Sequence, residues 1–124
     1  MEKIDSYFLD TYSLLEIIKE NKNFERFNQT LNFTSLMNLL ELHYIIGRDF
    51  GVKKASEVVE KLKSIVVDIT LEDIKKASEF RLKKGLKKFS YIDCLGYAVA
   101  LNKGFRFLTG DKEFKDINNV EFVK

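Results

Sequence analysis

The sequence predicts an α/β fold in a single domain spanning residues 1–124, with a mostly parallel five-stranded sheet and helices on both faces. Short apolar runs alternate with longer amphipathic stretches, the order expected of parallel strands joined by covering helices. One of the short runs, SIVVDI, is strongly β-branched and so reads clearly as a strand. The chain contains no Pro and only six Gly, so its helices run without their usual breaker.

The elements follow in order. SYFLD, ending at Asp10, is a first short strand. SLLEIIKE is a helix, started by Ser13 with Glu16 three residues on, the pattern of a capping box. NFERFN is a short helical piece that leads to LNFT, the second strand. SLMNLLELHYII is a strongly apolar helix, and after the break at Gly51 VKKASEVVEKLK is an amphipathic one. SIVVDI is the third strand. LEDIKKASEFRLKK and YIDCLGYAVALNK are helices, FRFLT is the fourth strand and VEFV an edge strand. There is no internal repeat and no low-complexity tract.

A hydrophobic share of 45% and a charged share of 32% are globular values. The one cysteine, Cys94, cannot form an internal disulfide, and no set of Cys and His with zinc spacing surrounds the lone His43. This usage suits a reducing cytosol. MEKIDSYFLD places acids where a signal peptide needs a basic region. Charge interrupts every apolar stretch before it could span a membrane. A soluble, cytoplasmic protein is therefore expected. A net charge of +2 is too mild to announce a nucleic-acid binder, so such a role must come from local charge.

Four carboxylates stand out. Ligands of open parallel sheets gather outside the C-terminal ends of the strands. Asp10 ends the first strand and Asp111 follows the fourth, in FRFLTGDKEF. Gly110-Asp111 also reads as ordinary turn chemistry. Asp10 could cap the next helix, but the Ser13 and Glu16 box already serves that helix. Glu41 lies on an apolar helical stripe with Met37 and Ile45, where a buried, unpaired carboxylate is costly. Either a cation meets it, or it sits at a cleft edge, or that side of the helix is exposed. Asp93 forms a capping box with Ser90, as Asp73 does with Thr70. The two helices differ beyond their boxes, since Gly96 and Ala100 on Asp93's side permit close backbone approach.

FLDTYSLL, TSLMNLLELHYII and FSYIDCLGYAVALNKGFRFLTGDKEF, in that order and spacing, make the chain resemble a PIN domain, and among PIN domains the VapC-type toxin ribonucleases. The resemblance spans essentially the whole chain and implies a Rossmann-like sheet of order 3-2-1-4-5. The family's four acidic motifs fall on Asp10, Glu41, Asp93 and Asp111. The resemblance makes these the catalytic and metal-binding residues, holding Mg²⁺ or Mn²⁺. Tyr12 departs from the family, which often has a small polar residue there, and Glu113 stands for a frequent second Asp, leaving it as an auxiliary acid.

Hydrolysis of a phosphodiester needs an activated water, neutralised charge and a stabilised leaving group, all of which a divalent cation supplies. Mg²⁺ needs only one or two direct carboxylates besides water and phosphate. Asp10 and Asp111 are expected to be the direct ligands, Glu41 and Asp93 to hold metal-bound waters or a second ion, and Thr109 to orient a ligand. An acidic cluster repels RNA, so RLKKGLKK, with Arg81, Lys83, Lys84, Lys87 and Lys88, is the expected phosphate contact; its alternative is a solvated face. His43 reads as a helix-face residue and Cys94 as packing. Phe24 and Phe27 are candidates for partner contact or for the core.

The functional expectation is a metal-dependent endoribonuclease of a VapBC-type toxin–antitoxin pair, with RNA as substrate, a cognate antitoxin as partner and a homodimeric state. The alternatives are a housekeeping RNA-processing nuclease and a catalytically silent module that binds RNA or protein. A haloacid-dehalogenase-like phosphatase wants Asp-x-Asp after its first strand, where this chain has Asp10, Thr11, Tyr12. A receiver-like phosphoacceptor lacks its paired acids.

Overall fold

The computed structural model of the protein describes residues 5–85 and 89–124. Strand β1 (Ser6–Leu9) leads into helix α1 (Thr11–Ile18), a 3₁₀ segment (Lys22–Gln29) and strand β2 (Leu31–Phe33). Helices α2 (Leu36–Phe50), α3 (Val52–Leu62), α4 (Leu71–Lys84) and α5 (Tyr91–Lys103) follow, then strands β3 (Arg106–Thr109) and β4 (Val120–Phe122). Among the described residues the sheet has four strands in the order β2-β1-β3-β4, and all three pairings are parallel.

Five strands were expected, and the third of them is reduced to a single bridge. In SIVVDI only Val66 pairs, with Thr34, while Lys63–Ile65 form a 3₁₀ turn. The Thr34 N–H donates to Ile65 O and the Val67 N–H to Thr34 O. The partner strand has run out at this point: β2 ends at Phe33, and Ser35 already caps α2. The bridge sits beside β2, where the order 3-2-1-4-5 puts a strand. Sequence preference for β structure cannot extend a ladder that has no neighbour to pair with.

The alternation of strand side chains builds two cores, one on each face of the sheet. Tyr7, Leu9 and Leu108 join Leu14, Phe24, Phe27, Leu39, Leu42 and Ile46 on the side of α1, α2 and α3. Phe8 and Phe107 join Ala77, Phe89, Tyr97, Val99 and Phe114 on the side of α4 and α5. Phe24 and Phe27 are 1% and 0% exposed, so they are core and not partner contacts. The rings of Phe107, Phe114, Phe89 and Tyr97 pack at centroid distances of 4.4 to 5.8 Å, within the range of favourable aromatic pairs. Gly96 lets α5 lie against the sheet, because a Cβ there would stand 2.8 Å from Phe8 Cε1 and 3.2 Å from Phe107 Cε1. The close approach expected around Gly96 is thus made to the sheet itself.

No described helix is long and apolar enough to cross a membrane.

Candidate functional site

The carboxyl ends of β1 and β3 lie side by side in the middle of the sheet, and the chain leaves each of them through an Asp. Asp10 is the N-cap of α1: its Oδ1 accepts from the Ser13 N–H at 2.8 Å. The capping box expected between Ser13 and Glu16 does not form. The Ser13 hydroxyl donates instead to Leu108 O at 2.8 Å, tying α1 to β3. Asp10 therefore has the structural job that the sequence reading denied it, and it is only 5% exposed. Its second oxygen accepts from the Thr109 hydroxyl at 2.5 Å, and Thr109 Oγ1 in turn accepts from the Asp111 N–H at 3.0 Å. One buried threonine at the end of β3 thus fixes the Asp10 carboxylate and the backbone of Asp111.

Asp111 starts a 3₁₀ turn (Lys112–Phe114), its Oδ1 accepting from the Glu113 N–H at 3.0 Å. Glu113 supplies that N–H, and its side chain is not among those lining the cleft described below. Gly110 does not have a positive φ, so the turn does not need glycine for its backbone angle. It needs glycine for space. A Cβ at this position would stand 2.1 Å from Tyr12 Cε1 and 2.6 Å from Val123 O.

Glu41 projects from α2 toward the same place. Its Oε1 accepts from the Thr11 hydroxyl at 2.6 Å, and Asn38 Nδ2 donates to Thr11 Oγ1 at 3.2 Å. The residue is half-buried, which answers the question its apolar stripe raised: Glu41 sits at a cleft edge.

Asp93 comes from α5, where the capping box with Ser90 is complete. Asp73 occupies the equivalent position on α4, and the two carboxyls differ sharply. Burial acts to raise the pKa of Asp73, but the Thr70 N–H and the Asn102 amide, the latter at 2.7 Å from Oδ1, hold it below the usual range. Among the described residues no such amide reaches Asp93. Burial pushes its carboxyl up, the Ser90 contacts oppose this, and the charges of Asp111 and Glu41 push it further up. Burial likewise pushes Asp10 up to about 6 against the Thr109 and Ser13 hydrogen bonds, with the Asp93 charge adding to the rise. Mutual repulsion of this kind is what converging carboxylates produce.

All four acids line one open cleft of about 580 Å³, together with Thr11, Tyr12, Leu15, Ile45, Gly110, Lys112 and Lys124. Tyr12, Lys112 and Lys124 went unrecognised as cleft residues in the sequence. Tyr12 is wedged over Gly110, and Lys124 Nζ lies 5.7 Å from its ring and 3.4 Å from Gly110 O. The signal for Tyr12 was present in its departure from the family pattern. Nothing marked Lys124, which reaches the cleft only through the pairing of β4 with β3.

The basic run divides. Arg81 donates through Nε to Phe89 O at 3.1 Å and lies 4.3 Å from the Tyr91 ring centroid, so its guanidinium joins the end of α4 to the start of α5. Lys83 and Lys84 are exposed at the end of α4, outside the cleft lining. Lys87 and Lys88 fall outside the described residues. His43 Nε2 meets Ser56 Oγ at 3.1 Å on the α2–α3 contact. Cys94 is buried in the core, and burial pushes its thiol up to about 11, which disfavours the reactive thiolate.

With this geometry in place, comparison with known proteins decides the family. The PIN domain family model matches residues 7–120. The chain belongs to the PIN domain family. No curated protein sequence matches it. Among solved structures, this PIN domain is similar to Mycobacterium tuberculosis VapC20, described as a sarcin-ricin loop cleaving toxin. The two are 19% identical over 95% of this chain and 99% of that one, with a TM-score of 0.78. It is also similar to a chain of DNA-bound VapBC from Salmonella typhimurium, at 22% identity, coverage of 96% and 97%, and a TM-score of 0.74. A third is a chain of Rickettsia felis VapBC2 bound to a fragment of its promoter, at 19% identity, coverage of 96% and 99%, and a TM-score of 0.74. At these identities the likeness is one of fold.

Among the described residues no group of three or more His, Cys, Asp or Glu side chains is arranged to enclose a metal ion directly. The donor set nevertheless fits Mg²⁺ or Mn²⁺. The oxygens are hard, and such ions take one or two carboxylates and keep the rest of their shell as water.

Proposed function

We propose that this PIN domain is a metal-dependent endoribonuclease acting in the cytoplasm, the toxin of a VapBC-type toxin–antitoxin pair. The observation that carries the reading is the lining of one cleft by Asp10, Glu41, Asp93 and Asp111 at the ends of β1 and β3. Asp10 and Asp111 would hold Mg²⁺ or Mn²⁺ directly, and Glu41 and Asp93 would accept from its waters. The ion, when bound, supplies charge to the scissile phosphate and acidity to an attacking water.

The chain's own part is positioning. Thr109 and the Ser13 N–H fix the Asp10 carboxylate, so it does not have to reorient when a cation arrives. Thr11 donates to Oε1 of Glu41 and so fixes that carboxylate at the cleft edge. Asp93, raised by burial and further by the charges of Asp111 and Glu41, would be relieved by a cation among them. Four like charges in one place attract cations and repel RNA, so phosphate contact falls to basic side chains outside the cluster, with Lys84, Lys87 and Lys88 first.

The similarity to VapBC complexes supports an antitoxin partner, and a homodimer belongs to the same reading. The test is cleavage of mixed RNA by purified protein in Mg²⁺, Mn²⁺ or EDTA, comparing wild type with Asp10→Asn. Cleavage confined to wild type with metal is expected. Cleavage that persists in EDTA overturns the reading.

A further inference from the structure

Two cations stand in a cleft otherwise charged by acids. Among the described residues that line it, Lys112 and Lys124 alone carry positive charge, against Asp10, Glu41, Asp93 and Asp111. Lys83 and Lys84 are exposed outside that lining. Exposed charges are screened beyond about 10 Å at 0.1 M salt. An RNA strand that passes the acids therefore needs cations on the cleft wall itself.

Lys124 is the better held of the two. The Val123 N–H donates to Thr109 O at 3.0 Å, continuing the β3–β4 ladder, and Asn23 Nδ2 donates to Lys124 O at 2.8 Å. Thr109 also fixes Asp10, so the lysine and the acids share one support. The missing side chain of Gly110 lets the Tyr12 ring and the Val123 carbonyl close on it. Lys124 Nζ then lies 3.4 Å from Gly110 O and 5.7 Å from the Tyr12 ring centroid. Both partners are neutral and the hydrogen bond is long. An ammonium has three donors, so this one keeps capacity for an anion.

The geometry points to Lys124, assisted by Lys112, as the site for a backbone phosphate next to the scissile one, on the β4 side of the cleft. The inference rests on the nuclease reading above: the acids take the scissile phosphate through a cation, and the lysines take its neighbour. Each phosphate that enters an acidic cleft is repelled unless a fixed cation meets it. Tyr12 holds the ammonium by cation–π attraction, and the ladder and Asn23 order its backbone before RNA arrives, so binding costs less ordering. A lysine that merely offset the charge of the acids would act differently, since it would compete with Mg²⁺ and leave RNA binding alone.

The test is steady-state cleavage of a short single-stranded RNA in Mg²⁺ at several salt concentrations, beside Mg²⁺ titration of the Tm. Lys124→Ala should raise KM about tenfold, the loss of one charge-assisted contact, with kcat little changed. The log–log dependence of KM on salt should flatten by roughly 0.7. Lys124→Arg should keep both near wild type. Lys115→Ala removes an equal charge from an exposed side chain outside the cleft lining and should leave both unchanged. The metal-free Tm and the Mg²⁺ concentration that half-raises Tm should be the same in all four proteins. Wild-type KM and salt slope in Lys124→Ala overturn the inference and leave the nuclease reading standing. So does a Lys124→Ala protein whose only change is tighter Mg²⁺ binding. A wild type that cleaves no RNA removes the nuclease reading and this inference together.

Discussion

The hydroxyl of Thr109 donates to Oδ2 of Asp10 across 99 residues of chain, joining the ends of β3 and β1 at the floor of the cleft. The same Asp10 caps α1 through its other oxygen. One carboxylate thus belongs to the helix start, to the sheet and to the cluster of acids. The Asp10→Asn variant separates these roles. Asn is as good an N-cap as Asp, so α1 keeps its start. RNA cleavage should be lost, while the metal-free protein at pH 7 should melt no lower than wild type. A loss of several kcal/mol in the metal-free melt would falsify the placement of Asp10 among repelling acids.

The pH dependence of stability follows with a definite sign. Asp10 is raised from 3.8 to about 6 in the fold. A raised carboxyl binds its proton more tightly when folded, so its stabilising contribution is complete below about pH 4 and lost as pH rises through 6. The size is on the order of 3 kcal/mol for a shift of this extent. Urea unfolding in EDTA from pH 4 to 7 should show this decline in wild type and lose most of it in Asp10→Asn. Metal should compete with the proton, so the rise in Tm caused by Mg²⁺ should fade below about pH 6.

Asp73 and Asp93 predict opposite outcomes from one substitution. Asp73→Asn weakens a complete capping box and the bond from Asn102, at a cost of about 1–3 kcal/mol, and leaves cleavage intact. Asp93→Asn weakens the same kind of box but removes a carboxylate that burial and the charges of Asp111 and Glu41 disfavour, so it should cost less stability than Asp73→Asn while cleavage falls. Thermal melts in EDTA beside the RNA assay give both readings.

Gly110→Ala places a methyl group against the Tyr12 ring and the Val123 carbonyl. It should cost about 1–3 kcal/mol, as overpacking does. Tyr12→Ala in the same chain should recover only part of that loss, because the backbone carbonyl cannot withdraw. Full recovery would show that Tyr12 alone sets the constraint.

The triple variant Lys84→Ala, Lys87→Ala, Lys88→Ala should weaken RNA binding and flatten its dependence on salt, by roughly 0.7 in log–log slope for each phosphate no longer neutralised. Mg²⁺-induced stabilisation should not change. An unaltered slope returns the run to a solvated face.

The sequence by itself determined the α/β class, the two-sided sheet and the elements on which the acids lie. These rest on local facts: the alternation of apolar runs, β-branched strands and capping patterns are properties of neighbours along the chain. The four acids were legible because strand ends and helix starts are local events, and the family resemblance joined them. Tertiary structure decided the rest. Whether SIVVDI became a strand depended on β2 still having residues to pair with, and it had only Thr34. Whether Ser13 capped the helix or stood inside its first turn was settled by the fold, which puts its N–H on Asp10 and its hydroxyl on Leu108 O, 95 residues away. Gly110 read as a turn residue from its neighbours, and the ring that makes glycine necessary there is brought by α1. The twin boxes of Asp73 and Asp93 are alike in sequence and unlike in charge environment, because Asn102 reaches one carboxylate and two other acids face the second. Hydrogen bonds and repulsion act over a few ångströms of space, and only the folded chain sets which residues come within that distance.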